Sequence, residues 1–375
     1  MLTSLKLRVK NLFSHSRERL ETDRVFKTVI GLLLIIGLIM LASASSITAY
    51  NTYHDTYYFF KHQFLSVIFG VIIFLFFAKF NYKHLRLLAL PALGLSVIFL
   101  LLVFIPGLGR TINGSHSWLN ILGVSIQPSE LVKLSFIIYL AALFEKASET
   151  PKRFMLFLIL YGVIAFLMLL QPDIGTLIII TVISFVLYYV GGGKLKHIII
   201  IAALGILGLF ILVHLPGQQY RLDRFKCFSN YERDTQASCY QINQSLIAIG
   251  SGGIFGRGLG ESRQKFLYLP EVQNDFIFAI ISEEIGLLGA MAIIILFVIL
   301  FYRGFIIAKQ ADDPYGRNLV IGVMIWIVGQ AVFNIGGITN FLPMTGVPLP
   351  LISYGGTAIL ASLAGLGIVA NVSRH

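Results

Sequence analysis

Ten apolar runs of about twenty residues, near 28–47, 60–79, 86–106, 126–144, 154–171, 174–191, 197–215, 276–302, 318–338 and 357–371, constrain this chain more than any other feature. A helix rises 1.5 Å per residue, so about twenty apolar residues cross the ~30 Å hydrocarbon core of a bilayer. Only helices and closed barrels satisfy their backbone polar groups in lipid, and runs of this length exclude the short alternating strands of a barrel. The expectation is an all-α polytopic membrane protein of about ten transmembrane helices. Composition agrees: 57% of the 375 residues are hydrophobic and 13% charged, with a mean hydropathy of +0.83, far from the soluble range. The first run ends in Leu41-Ala42-Ser43-Ala44-Ser45, similar to a signal-peptidase site. It is longer than a signal h-region and follows a long leader, so it is read as an uncleaved span.

Charge gives the orientation. Lys6, Arg8, Lys10, Arg17, Arg19, Arg24 and Lys27 precede the first span, and alternate breaks hold Lys83 with Arg86, Lys146 with Lys152 and Arg153, Lys194 with Lys196, and Arg303, Lys309 and Arg317. The other short breaks hold little beyond Lys61 and Arg110. Basic residues accumulate in cytoplasmic loops, so both termini are expected inside, with 1–27 a basic cytoplasmic segment and 28–375 one membrane domain. The net charge of +11 thus records topology, and no nucleic acid partner is expected, since no basic folded unit or reading motif is present.

The break at 216–275, between spans seven and eight, is the long exception, and loops of this length tend to carry function. It is expected outside, and it holds Arg221, Arg224, Lys226, Arg233, Arg257, Arg263 and Lys265. Cys227 and Cys239, the two cysteines of the chain, lie in it and either close a disulfide or stay as free thiols. Its stretch Gly250-Ser251-Gly252-Gly253-Ile254-Phe255-Gly256-Arg257-Gly258-Leu259-Gly260 lacks the βαβ setting of a nucleotide loop. Backbone amides with Arg257, Arg263 and Lys265 would suit a pyrophosphate; a Gly-rich re-entrant turn is the plain alternative.

Ionisable residues inside spans are functional candidates by default. Glu130 and Lys133, three apart, can meet on one helix face, and a structural ion pair is the favoured reading; Glu283 or Glu284 is the alternative partner for Lys133. Asp275 differs, standing at the mouth of span eight before Phe276-Ile277-Phe278. A half-desolvated carboxylate suits a general base, although an Asp before an apolar run is more often a helix cap. Trp118, in the outer loop after span three, is by default an interfacial anchor and more sharply a platform for a sugar ring. The proline-rich stretch from Leu342 to Gly356 reads as a re-entrant loop facing a cavity, or simply as a connection. No cluster has metal-ligand spacing.

These motifs together resemble the SEDS family of peptidoglycan polymerases over nearly the whole chain after residue 28. The resemblance rests on Trp118, on Ile126-Gln127-Pro128-Ser129-Glu130 with Lys133, and on Gln171-Pro172-Asp173-Ile174-Gly175-Thr176. It continues through Tyr240-Gln241, Gln244-Ser245, Gln264-Lys265, Tyr268-Leu269-Pro270-Glu271, Asp275-Phe276-Ile277-Phe278, Glu283-Glu284-Ile285-Gly286 and the segment from Pro343 to Gly356. Ser43-Ala44-Ser45-Ser46 and the 264–271 string lean toward the division branch over the elongation branch; the sporulation branch is equally compatible. Departures are Ser117 where the family commonly has arginine, Gln273-Asn274 for His-Thr, Ser282 for glycine, and the Cys227–Cys239 stretch for a proline-containing turn.

The resemblance implies a ten-helix SEDS fold that polymerises lipid II outside the bacterial inner membrane. In it Asp275 is the required acid, and Trp118, Arg257, Lys265, Glu271 and Ser353 are substrate contacts. Its implied partners are undecaprenyl-pyrophosphate-linked glycan, membrane lipid, a class B penicillin-binding protein transpeptidase and other divisome proteins. A divalent cation, magnesium or manganese, is the one cofactor the chemistry leaves room for, beside loop cations that would offset the leaving pyrophosphate. The rival reading is a flippase for the same lipid, which would depend on Lys133, Glu283 or Glu284 rather than Asp275.

Overall fold

The computed structural model describes residues 23–112, 115–121, 124–146, 150–214, 227–229 and 239–374. All ten apolar runs are helices: α1 (Arg24–Ala44), α3 (Tyr58–Lys79), α4 (Leu85–Leu102), α5 (Pro128–Leu143), α6 (Pro151–Leu170), α7 (Ile174–Val190), α8 (Leu195–His214), α10 (Ile277–Gln310), α11 (Pro314–Ile338) and α12 (Gly356–Val372). Among the described residues, the shorter helices α2 (Ser46–Tyr53) and α9 (Tyr240–Gly252), a 3-10 turn at Tyr82–His84 and a helical stretch at 227–229 lie between them. Most of the basic N-terminal segment, and 216–226 and 230–238 of the long break with Arg221, Arg224, Lys226 and Arg233, fall outside the described residues.

Local chemistry sets the helix starts. Asp23, Thr150, Asp173 and Asp313 each accept a backbone N–H of the first turn, and Pro128, Pro151 and Pro314 occupy first-turn positions where no intrahelical donor is needed. The Asp173 cap, accepting from the Thr176 N–H at 3.1 Å, separates α6 from α7 across a very short break.

Six helices are long and apolar enough to cross a membrane. Their outward faces carry Phe69, Ile72, Leu87 and Leu90, with Leu87 78% exposed, a surface suited to lipid and not to water. The shorter α12 is buried almost end to end between α3, α5 and α11. The chain is a multi-pass membrane protein.

Two features depart from the pattern of spans and loops. Residues after α4 form a three-stranded antiparallel sheet, β1 (Gly109–Ile112), β2 (Ser115–Ile121) and β3 (Val124–Ile126), so Trp118 stands on a strand opposite Arg110, not in an irregular loop. Helix α10 runs for 34 residues and is broken at Gly286 (φ 70°, ψ −171°).

Candidate active site

Asp275 sits half-buried one residue outside α10. The cap position is assigned to Phe276, which makes no side-chain capping bond. Its segment is fixed through its main chain. The carbonyls of three consecutive residues each accept one bond: Gln273 from the Tyr354 N–H (2.9 Å), Asn274 from the Ser353 hydroxyl (2.6 Å) and Asp275 from the Asn334 amide (2.8 Å). Asn334 also donates to the Val347 carbonyl (2.8 Å), and Gln63 donates to the Ser353 carbonyl (2.9 Å) and accepts from the Gly355 N–H (3.1 Å). The irregular segment between α11 and α12 is therefore a rigid seat that aims the Asp275 peptide.

This arrangement revises two expected substrate contacts. Ser353 is buried, its hydroxyl donating to Asn274 and accepting from the Leu349 N–H (2.8 Å), so it belongs to the seat. Glu271, at a left-handed φ of 54°, closes the turn: its carboxylate accepts from the Asn274 side chain (2.6 Å) and its carbonyl from the Asn274 N–H (3.0 Å). Sequence reasoning missed Asn334 and Gln63; both are buried amides within apolar spans, the one signal that could have found them. Beside the seat, burial pushes the Tyr354 phenol up to about 12, which leaves it a neutral donor.

The Gly-rich loop is tied to the break in α10. Gly286 leaves the helical carbonyls of Glu283 and Glu284 open, and they accept from the N–H groups of Arg257 and Gly258 at 3.0 Å. The N–H groups of Leu287 and Leu288 reciprocate to the carbonyls of Gly253 (2.9 Å) and Ile254 (3.2 Å). A Cβ on Gly286 would lie 2.3 Å from the Gly256 nitrogen, so glycine is obligatory where the two backbones meet. The N–H groups of Gly256, Arg257 and Gly258 are thus bonded to the protein's own carbonyls.

Side chains complete the knot. Glu283 accepts from the Ser262 hydroxyl (2.5 Å), the Arg263 N–H (3.0 Å) and the Gln264 N–H (3.3 Å), with the partly exposed Arg257 guanidinium at 3.7 Å. Glu284 accepts from Ser43 (2.7 Å) and pairs with Lys265 (3.1 Å). Lys265 is buried and also bonds Ser43 and the Gly260 carbonyl, which corrects its expected role as an accessible anion clamp.

Lys133 pairs with Glu130 (2.7 Å) on α5, as i,i+3 spacing predicts, and not with Glu283 or Glu284. It also donates to Gln330 (2.7 Å), whose amide holds the Pro348 carbonyl (2.9 Å), so this buried pair connects to the same seat. Trp118 is half-buried, with the exposed Arg110 opposite it across the strands. Ser117, where arginine was expected, is buried with Ser115 at 2.8 Å. Cys227 and Cys239 form a disulfide packed on Ile242. Among the described residues no three of His, Cys, Asp and Glu gather as a metal site.

A family model described as cell cycle protein, that of FtsW, RodA and SpoVE, matches residues 23–375. The chain belongs to this family. Similar members include stage V sporulation protein E of Bacillus subtilis (strain 168), 39% identical over 362 residues, covering 96% of this chain and 98% of the relative. A probable peptidoglycan glycosyltransferase FtsW of Trichlorobacter lovleyi is 36% identical over 94% of this chain and 93% of its own. Among solved structures, a chain from work on the coordination of polymerization and crosslinking by a peptidoglycan synthase complex superposes with a TM-score of 0.76. That match is 26% identical and covers 95% of this chain and 98% of that one. The rod shape determining protein RodA of Thermus thermophilus gives a TM-score of 0.70 at 27% identity, over 95% and 97% of the two chains. The two solved structures thus share this fold over nearly the whole chain.

Proposed function

We propose that this chain is a peptidoglycan glycosyltransferase that polymerises lipid II at the outer face of the bacterial inner membrane, with both termini cytoplasmic. The observation that carries the residue assignment is the seat: three successive carbonyls, of residues 273–275, are held by Tyr354 and Ser353 of the segment between α11 and α12 and by Asn334 of α11. A carboxylate so aimed can act without reorganising its backbone.

The reaction is an inverting transfer. The sugar 4-hydroxyl of incoming lipid II attacks the anomeric carbon of the growing strand; the new C–O bond forms as the bond to undecaprenyl pyrophosphate breaks. Asp275 takes the hydroxyl proton. Charge on the departing pyrophosphate is met by exposed cations, with Arg257 and Arg263 the candidates on the described part of the loop. Trp118 offers an aromatic face to a sugar ring. No step is routed through a metal.

The substrate's polyprenyl tail requires a membrane-embedded enzyme, and its glycan product requires crosslinking, so a class B penicillin-binding protein is the proposed partner, within the division or sporulation machinery. The internal partners of Lys133, Glu283 and Glu284 favour this reading over a flippase, which would need such groups for a translocation path. The test is fluorescent lipid II offered to the purified chain and its transpeptidase in liposomes. Glycan polymer is expected; lipid movement across the bilayer without polymer would replace the proposal by the flippase.

A further inference from the structure

We infer that the segment 253–268 is an interfacial anchor, seated in the headgroup and upper acyl region of the bilayer leaflet on the Asp275 side. This rests on the membrane-spanning fold and is independent of the glycosyl transfer.

Its depth follows from two helical rulers with a common origin. At the opposite end of the bundle, Asp23 and Arg303 form an ion pair, a polar mark at that membrane boundary. Along α1, Ser43 lies about 30 Å from Asp23, and along α10, Gly286 lies about 26 Å from Arg303, at 1.5 Å per residue. Both rulers end in one layer, because the Ser43 hydroxyl bonds Glu284 at 2.7 Å. That distance matches the ~30 Å hydrocarbon core, so the layer is its far edge. The Gly-rich loop is hydrogen-bonded to residues 283–288 and lies in the same layer.

Its outward face is apolar. Ile254, Phe255, Leu259, Phe266, Leu267 and Tyr268 are all more than half exposed, with Phe255 at 80%. In water, six such side chains in sixteen residues would be a costly surface. The face continues directly into the lipid-exposed Leu287 and Leu288 of α10, whose N–H groups bond Gly253 and Ile254. Those bonds also satisfy backbone groups that lipid could not. Arg257 and Arg263 are exposed among the apolar residues, as suits a surface meeting phosphate headgroups. Continuity with the lipid-facing helix selects phospholipid over a protein as the occupant.

The test uses the full chain in liposomes, alone and with its transpeptidase. A nitroxide is placed at Phe255→Cys or, independently, at Leu259→Cys, the native cysteines remaining as their disulfide. Oxygen, which partitions into lipid, should relax both labels at least roughly threefold more effectively than an aqueous nickel chelate, with or without the partner. Preferential relaxation by the chelate would put the loop in water and overturn the inference. Protection from both reagents, whether intrinsic or on adding the transpeptidase, would assign the face to a protein and overturn it equally.

Discussion

The side-chain amide of Asn334, deep in α11, donates at 2.8 Å to the main-chain carbonyl of Asp275 and at the same distance to that of Val347. One buried side chain thus ties the mouth of α10 to the segment before α12. Asn334→Ala leaves both carbonyls without this donor and is expected to cost about 1–3 kcal/mol of stability. Polymerisation should fall further than the lost folded fraction explains, because the Asp275 peptide is released. Melting curves and initial rates on the same preparation check this.

The buried Lys265–Glu284 pair gives a contrast between single and double variants. Glu284→Gln or Lys265→Met alone strands a charge and should cost about 3–5 kcal/mol, whereas the two together should recover most of it. Fluorescence-detected melting in detergent reads the cycle. Equal loss in the double variant would mean the pair is not the source of the stability.

Gly286→Ala adds a side chain at a left-handed φ, directly against the Gly256 nitrogen. The expected loss is at least about 2 kcal/mol, with the loop rather than the spans loosened first. Hydrogen exchange localises it: amides of Arg257 and Gly258 should lose protection while those of α11 keep theirs.

The disulfide closes a loop with a sequence separation of 12 and holds Cys239 at the start of α9. Replacing both cysteines by serine should cost about 2–4 kcal/mol. Reductant should lower the melting temperature of the native chain and leave the serine variant unchanged.

What the sequence made legible follows from periodicity and length. All ten apolar runs are helices because burying or exposing an apolar stretch to lipid depends little on tertiary detail. The strands around Trp118 were not legible: each is short, and polar, mixed residues such as Arg110 and His116 lack the apolar alternation that announces a strand, although the pairing is between chain neighbours. Lys265 and Ser353 were assigned to substrate from charge, polarity and family position, which say nothing about burial; both are satisfied inside the protein. The amides of Arg257 and Gly258 escaped the sequence reading for a similar reason, since the open carbonyls they meet exist only because α10 breaks at Gly286. Asn334 and Gln63 show the reverse, amides in apolar runs whose purpose emerges only when the segments they join are seen.

The most direct test is Asp275→Asn, which replaces the acid by its isosteric amide while the three carbonyl bonds of the seat stay in place. Initial rates of lipid II polymerisation are measured with the transpeptidase present, beside a melting curve. Loss of a general base predicts a fall of about 10²–10⁴-fold with the melting temperature unchanged. Polymerisation within a few-fold of the native rate would contradict the assignment of Asp275 as the base.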